Sequence, residues 1–250
     1  IKKKRFEQLK KYSFSINQIL KLKEYAFQRK IIFFSTALDL ETAKNLNKIQ
    51  PIFKIASGDN NLLDFIEKIL NYKKPTIIST GLLSISQINQ LYKFLKKKSK
   101  KEFALMHCVS MYPTPNVKAN LNMIQFMKKN YKSAIIGYSD HTLGIKACEY
   151  AALMGAEIIE KHFTLNKKFS KFRDHKLSAD PKEFKEMVNN IKLIYQMKGS
   201  VKDKLSKEEL SNIHNMRRSI FSKNKIGFRE KIKINDIDFL RNNSFKKKKK

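Results

Sequence analysis

Two histidines close successive β-rich runs. His141 ends Gly137-Tyr138-Ser139-Asp140-His141, and His162 ends Glu160-Lys161-His162. Side chains alternate across a strand, so Ser139 and His141 share one face, as do Glu160 and His162. Asp140 has the opposite parity and is a poor partner for the neighbouring imidazole. Two imidazoles converging among oxygen donors suit a borderline divalent ion such as Mn²⁺, Zn²⁺ or Co²⁺. Hydrogen-bonded structural histidines are the competing reading.

Hydroxyl groups recur at the ends of the other apolar runs: Ser35-Thr36, Ser57-Gly58, Ser79-Thr80-Gly81, and Ser110 with Tyr112. Small donors beside open backbone N–H groups suit a phosphate or carboxylate. A single such Ser is more often the N-cap of the next helix. Asp174-His175 falls in a polar loop and reads as surface. Cys108 and Cys148 read as small core residues, too few and too far apart for a disulfide framework or a thiolate zinc site. Alternation does not decide whether His107 or Cys108 faces the core. There is no nucleophile elbow, P-loop or Cys–His pair.

The elements that must position these groups are short apolar runs at Ile31–Thr36, Ile52–Ser57, Pro75–Thr80, Phe103–Cys108, Ala134–Ser139 and Glu157–Phe163. Between them the period is helical. A helix is expected over Ser15–Arg29. Ser84 and Gln87 form a capping box ahead of Ile85, Ile88, Leu91, Tyr92 and Leu95. Asp180-Pro181-Lys182-Glu183 starts another helix, whose buried stripe is Phe184, Met187, Val188, Ile191 and Ile194. Alternating βα units give an α/β fold with a parallel sheet. With seven glycines and no G-x-G-x-x-G, a (β/α)₈ barrel fits better than a doubly wound sheet. Six strands leave it two short of closure. After Ser206 the pattern changes to two short strand-like runs, Arg217–Phe221 and Ile232–Leu240.

The chain has 250 residues, of which 42% are hydrophobic, and this supports a sizeable core. No apolar stretch is long enough for a membrane span, and Ile1-Lys2-Lys3-Lys4-Arg5 leads into no signal-peptide core. A reduced, cytoplasmic setting is expected. The net charge of +31 would attract polyanions, but only seven of the 53 basic residues are Arg, and the Lys excess is spread along the chain. That is a solvated surface rather than a specific nucleic-acid site, although a basic nucleic-acid binder is kept as a minor alternative.

As a set these runs resemble the sialic acid (N-acetylneuraminate) synthase family of nonulosonate synthases. The matching stretches are Phe34-Ser35-Thr36, Lys54-Ile55-Ala56-Ser57-Gly58, Lys74-Pro75 through Ile78-Ser79-Thr80-Gly81, and His107-Cys108 leading to Tyr112-Pro113-Thr114-Pro115. They continue with Ile136 to His141, Gly155-Ala156 through Glu160-Lys161-His162-Phe163-Thr164-Leu165, and Asp174-His175 followed by Ser178. The resemblance implies a TIM-type barrel that condenses phosphoenolpyruvate with an open-chain N-acetylated amino sugar, either N-acetylmannosamine or a diacetamido sugar. It implies His141 and His162 as ligands of a divalent ion, Mn²⁺ first, with Mg²⁺ or Co²⁺ as alternatives. It assigns Thr36, Ser57, Ser79, Ser110, Tyr112 and Ser139 to phosphoenolpyruvate. Glu160 and Asp174 are assigned to the sugar and the metal site, with Glu160, Tyr112 and Asp174 as the catalytic set.

The family adds a C-terminal antifreeze-like domain that covers the partner's site in a homodimer, and Arg241 falls near its capping Arg. The expected domains are therefore a partial barrel over residues 1–205, a linker and truncated antifreeze-like domain over 206–243, and a Lys-rich tail over 244–250. The family's first two barrel strands, with their Glu, Lys and Gln, precede the stretch seen here. Gly is absent from Lys171-Phe172-Arg173-Asp174, where many members have Gly-Pro-Asp. An inactive fragment of such a synthase is the alternative expectation.

Overall fold

The computed structural model describes residues 13–170, 173–201 and 204–241. The Lys-rich tail and the Lys171-Phe172 pair lie outside the described residues. The chain divides into two compact units, residues 1–198 and 199–250.

The first unit alternates helix and strand. Helix α1 (Ile16–Gln28) starts at Ser15, whose capping box with Gln18 satisfies two orphan backbone donors. Helix α2 (Leu40–Asn47) is capped by Asp39. Then follow β1 (Phe53–Ile55), α3 (Leu63–Leu70), β2 (Thr76–Ser79), α4 (Ile85–Lys98) and β3 (Phe103–Cys108). The unit continues with α5 (Asn122–Asn130), β4 (Ile135–Asp140), α6 (Lys146–Leu153), β5 (Ile158–Lys161), the short α7 (Arg173–Leu177) and α8 (Pro181–Lys198). The box expected at Ser84/Gln87 forms, and the helix start expected at Asp180 is observed, Asp180 and Glu183 bonding reciprocally.

The five strands pair in the order β1-β2-β3-β4-β5, every pair parallel. Phe53, Ile55, Ile78, Leu105, Ile136 and Tyr138 point outward into one core with the helices. The other face of the sheet is concave. Neighbouring strands sit about 4.8 Å apart, so a flat sheet would hold β1 and β5 about 19 Å from one another. Yet Lys54 Nζ on β1 lies 3.4 Å from Glu160 Oε2 on β5. The sheet is curled into a half-barrel, and its inner face is where side chains from both edges meet.

One expected strand does not form. The run Ile31–Thr36 contributes only a single parallel bridge, Thr36 to Lys54. Among the described residues it has β1 on one side and no strand on the other. Ile31 and Ile32 are 64% and 63% exposed and line a cavity of about 600 Å³ with Phe27 and Phe33. None of the residues of α1 is buried. A continuous apolar run reads as a buried strand, but one ladder without a cover does not hold it.

In the second unit, Ser206 and Glu209 cap α9 (Lys207–Met216), and β6 (Arg218–Ser222) pairs antiparallel with β7 (Ile237–Arg241). Among the described residues no helix is long and apolar enough to cross a membrane.

Gly137 sits where β4 crosses Met106 of β3, and a Cβ there would lie 2.8 Å from the Ile158 carbonyl oxygen. Backbone cannot give way as a side-chain tip can. Gly137→Ala should cost about 1–3 kcal/mol in a denaturant melt, whereas Gly58→Ala, with open space around it, should cost little.

Candidate active site

The inner face carries a polar chain at its base. Lys54, only 8% exposed, donates from Nζ to Ser79 Oγ at 2.8 Å and pairs with Glu160. Ser139 Oγ donates to Glu160 Oε1 at 2.6 Å. Ser79, Ser139 and Glu160 were expected in the site. Lys54 was not, although its inward parity between outward Phe53 and Ile55 was the available signal.

Above this chain the strand ends crowd together. A Cβ on Gly81 would lie 2.5 Å from Ser110 Oγ and 2.6 Å from Ser57 Oγ, so only Gly lets the two hydroxyls converge there. Asn60, buried, donates from Nδ2 to the carbonyls of Ser79 and Gly81 and fixes that turn. Nothing in the sequence pattern marks Asn60. Ser110 Oγ is buried and hydrogen-bonds to nothing among the described residues. A buried hydroxyl without a partner costs roughly 1–3 kcal/mol, so it is a group with reason to meet a ligand or water.

The two histidines also meet, as their parity requires. The His141 and His162 ring centroids are 5.2 Å apart, and the Tyr112 ring lies 4.2 Å from that of His141 and 6.1 Å from that of His162. His141 Nδ1 is 2.8 Å from the Val109 carbonyl oxygen. A carbonyl only accepts, so Nδ1 carries the proton and Nε2 presents a lone pair. The His141 carbonyl is itself held by the Thr114 N–H at 2.8 Å, and that of His162 by the Ala179 N–H at 2.8 Å.

Cys108 is buried, as expected of a small core residue, but on the inner face of the sheet. Its Sγ lies inside the mouth, 3.7 Å from Ser57 Oγ and 3.9 Å from His141 Nδ1. A small buried thiol looks the same on either face, so sequence alone leaves its side of the sheet open. Burial opposes charge on both Cys108 and His141, but their pairing outweighs it. The thiol is drawn below its ordinary value and the imidazole, helped by Val109, above its own. His162 is pushed below the ordinary value by burial and then by His141. His107 faces the other way, 2.8 Å from the Ala119 carbonyl and stacked on Tyr138, and burial lowers its pKa. Cys148 is buried in the outer layer, as expected.

Asp174 is not plain surface. It lies on α7 with Oδ1 buried, and its charge works to raise the His162 pKa. Its neighbour His175 bonds through Nδ1 to Thr164 Oγ1 at 2.8 Å. Thr36 is half-buried beside Lys54. Arg241 ends β7 opposite Arg218 in the second unit.

Among the described residues no cluster of three or more His, Cys, Asp or Glu side chains is arranged for an ion. The imidazole pair offers two nitrogen donors, one with its tautomer fixed, and the rest of a coordination sphere would come from water or substrate oxygens. That donor set fits a borderline divalent ion.

A curled parallel half-barrel with its polar groups at the strand C-termini defines an α/β enzyme whose site is built on strand ends. Residues 1–203 match the NeuB family model, and the chain belongs to this family of nonulosonate synthases. It is 44% identical over 237 residues to an uncharacterized protein of Methanocaldococcus jannaschii, a match covering 94% of this chain and 70% of that one. It is 39% identical over 199 residues to the N,N'-diacetyllegionaminic acid synthase of Campylobacter jejuni, covering 78% of this chain and 59% of the relative. The crystal structure of N-acetylneuraminic acid (sialic acid) synthetase from Leptospira borgpetersenii superposes with a TM-score of 0.75 at 37% identity, over 80% of this chain and 70% of that one. The chain spans between about half and seven-tenths of the length of the curated relatives it matches.

In an NMR titration of the metal-free protein, His141 should titrate above 6.5, the ordinary histidine value, and His107 and His162 below it. The stability consequence has a definite sign. The unfolded chain takes protons at His107 and His162 first, so their contribution is intact above 6.5 and is lost as pH falls toward their lowered folded values. His107→Gln should flatten that acid slope in urea melts at successive pH values. An unchanged slope would show that His107 is not held neutral.

Proposed function

We propose that the chain is the core of a phosphoenolpyruvate-dependent nonulosonate synthase. The carrying observation is that the Lys54 ammonium, the Ser79 hydroxyl and the Ser110 hydroxyl, which has no hydrogen-bond partner among the described residues, share one concave face with the His141–His162 pair. One end of that face suits a small polyanion, and the other suits a carbonyl oxygen.

In this reading Lys54 and the hydroxyls of Ser57, Ser79 and Ser110 hold the charged oxygens of phosphoenolpyruvate, with Thr36, Tyr112 and Ser139 completing its site. Glu160, tied to Ser139 and Lys54, and Asp174 face an N-acetylated amino sugar, either N-acetylmannosamine or a diacetamido sugar. The C2=C3 π electrons of phosphoenolpyruvate form the bond from C3 to the aldehyde carbon, water adds at C2 and yields a proton that ends on the former aldehyde oxygen, and the C2–O bond breaks to release phosphate and leave a C2 ketone. His141 keeps its proton at Nδ1, toward Val109, and turns Nε2 to the mouth. A divalent ion on His141 and His162, Mn²⁺ first with Mg²⁺ or Co²⁺ as alternatives, would polarise the aldehyde oxygen and orient the sugar.

The same reading extends the half-barrel to a (β/α)₈ barrel, two further strands lying between the Thr36 edge and β5. It takes residues 1–205 as the barrel portion and residues 206–243 as part of an antifreeze-like domain, ahead of the 244–250 tail. In a homodimer of cytoplasmic subunits, Arg241 would reach the sugar acetyl group of the partner's site. The open sheet edges support the barrel extension; the remaining assignments rest on the family resemblance.

The test is phosphate release from phosphoenolpyruvate with Mn²⁺, N-acetylmannosamine and diacetamido sugars being tried in parallel. Release that depends on one sugar is expected. Lys54→Met should lower kcat/KM by about 10²–10³-fold, and His141→Ala with His162→Ala should abolish Mn²⁺ binding in calorimetry. No release with any sugar, from folded and metal-loaded protein, would favour an inactive fragment.

A further inference from the structure

Behind the imidazole pair, on the outer face of the same two strands, lies a buried ion pair that the reaction does not use. Asp140 and Lys161 are directly opposite in the β4–β5 register. Lys161 Nζ is 2.6 Å from Asp140 Oδ2, and both side chains are wholly shielded from solvent. The carboxylate is saturated. Tyr138 Oη and the Thr142 N–H each donate to Oδ1 at 2.9 Å. Thr142 Oγ1 donates to Oδ2 at 3.2 Å, and Cys148 Sγ reaches it at 3.5 Å. Lys161 also donates to the Thr142 carbonyl at 2.8 Å.

Such a pair is expensive to bury. A charge pair inside a protein is often no more stabilising than apolar residues of the same volume, so stability is a weak reason for it to be there. What it does supply is register. Asp140 immediately precedes His141 and Lys161 immediately precedes His162, and strand alternation turns each neighbour to the opposite face. Fixing Asp140 against Lys161 on the outside therefore fixes the separation of the two imidazoles on the inside. Thr142, bound to both charges, pins the residue on the other side of His141.

We propose that Asp140 and Lys161 are positioning residues: their buried pair is the clamp that holds His141 and His162 at the spacing a shared ligand requires. This rests on the imidazole-pair reading above. Lys161 and Asp140 act on the site by placing His162 and His141, which follow them in the chain.

The test replaces both charges together, Asp140→Asn with Lys161→Gln, so that no lone charge is left buried. In metal-free protein the readout is the ring-to-ring NOE between His141 and His162, whose centroids are 5.2 Å apart. In metal-loaded protein it is Co²⁺ affinity by calorimetry and the visible Co²⁺ spectrum. The expected result is a folded double variant with a weakened NOE, a changed spectrum and about tenfold to a hundredfold weaker Co²⁺ binding. Tyr138→Phe keeps both charges and removes one donor from the carboxylate; it should weaken Co²⁺ several-fold and carries the test if the double variant does not fold. A melting temperature that drops while the NOE and Co²⁺ affinity stay at the parent values would make the pair merely structural and overturn the proposal. If the parent protein binds no Co²⁺ but the NOE still responds to the double variant, the metal reading fails and the clamp stands.

Discussion

The contact from Lys54 to Glu160 joins the first and fifth strands of a five-stranded sheet. That is possible only because the sheet curls, and the curl is what makes a site. Right-handed twist and helices on one face bend a parallel sheet, and the side chains on its concave side are pushed together. An ammonium at the bottom of that concavity needs partners. Ser79 and Glu160 supply them, and Ser139 in turn orients Glu160. The two imidazoles leave neighbouring strands and meet through register alone, whereas the approach of Lys54 on β1 to Glu160 on β5 needs the curl.

Alternation divides the work between two faces. Along β4, Ile136 and Tyr138 pack into the helices while Gly137 and Ser139 face the interior, and Gly137 leaves room for Met106. At the strand ends the same alternation sets His141 inside and Asp140 outside. Glu160 on β5 and His162 just beyond it share the inner face, while Lys161 reaches outward to Asp140. The inner face holds groups whose partners are partial or missing, such as the Ser110 hydroxyl. The outer face holds groups whose hydrogen bonds are complete, such as the Asp140 carboxylate. Incomplete satisfaction is costly in a folded chain, so a buried hydroxyl such as that of Ser110, without a hydrogen-bond partner among the described residues, has reason to meet a ligand or water.

The period of two made much of this legible in the sequence. Five of the six expected strands form, and the convergence of His141 with His162 and of Ser139 with Glu160 follows from counting residues. What pattern could not supply is a matter of context. Ile31–Thr36 has the composition of a strand, but a strand also needs neighbours, which composition does not contain. Cys108 and His107 are adjacent and both buried, and only the direction of the curl decides which one looks into the mouth. Lys54 has a signal in the sequence: a charged residue flanked by Phe53 and Ile55 belongs to whichever face is not the apolar core. Asp174 lies on a short helix whose placement depends on a returning loop, and no local rule predicts that. Asn60 stabilises the Ser79–Gly81 turn through side-chain-to-carbonyl bonds that no spacing encodes.

The strand-end groups all belong to one continuous hydrogen-bonded sheet and the loops that leave it. Their mutual geometry is therefore set within the half-barrel by the β1–β5 ladders and by the locks on His141, at its ring, its carbonyl and both neighbouring residues. Further strands at the open edges would not be needed to aim these groups. They would add enclosure. A closed barrel excludes water from the concave face, and Coulomb attraction that is worth about 1 kcal/mol across 4 Å of water is several times stronger in a drier interior. Position and environment are thus separable here. The half-barrel brings an ammonium, hydroxyls and imidazoles to one place, and the strength with which they act on a polyanion depends on how completely the remaining sides are covered.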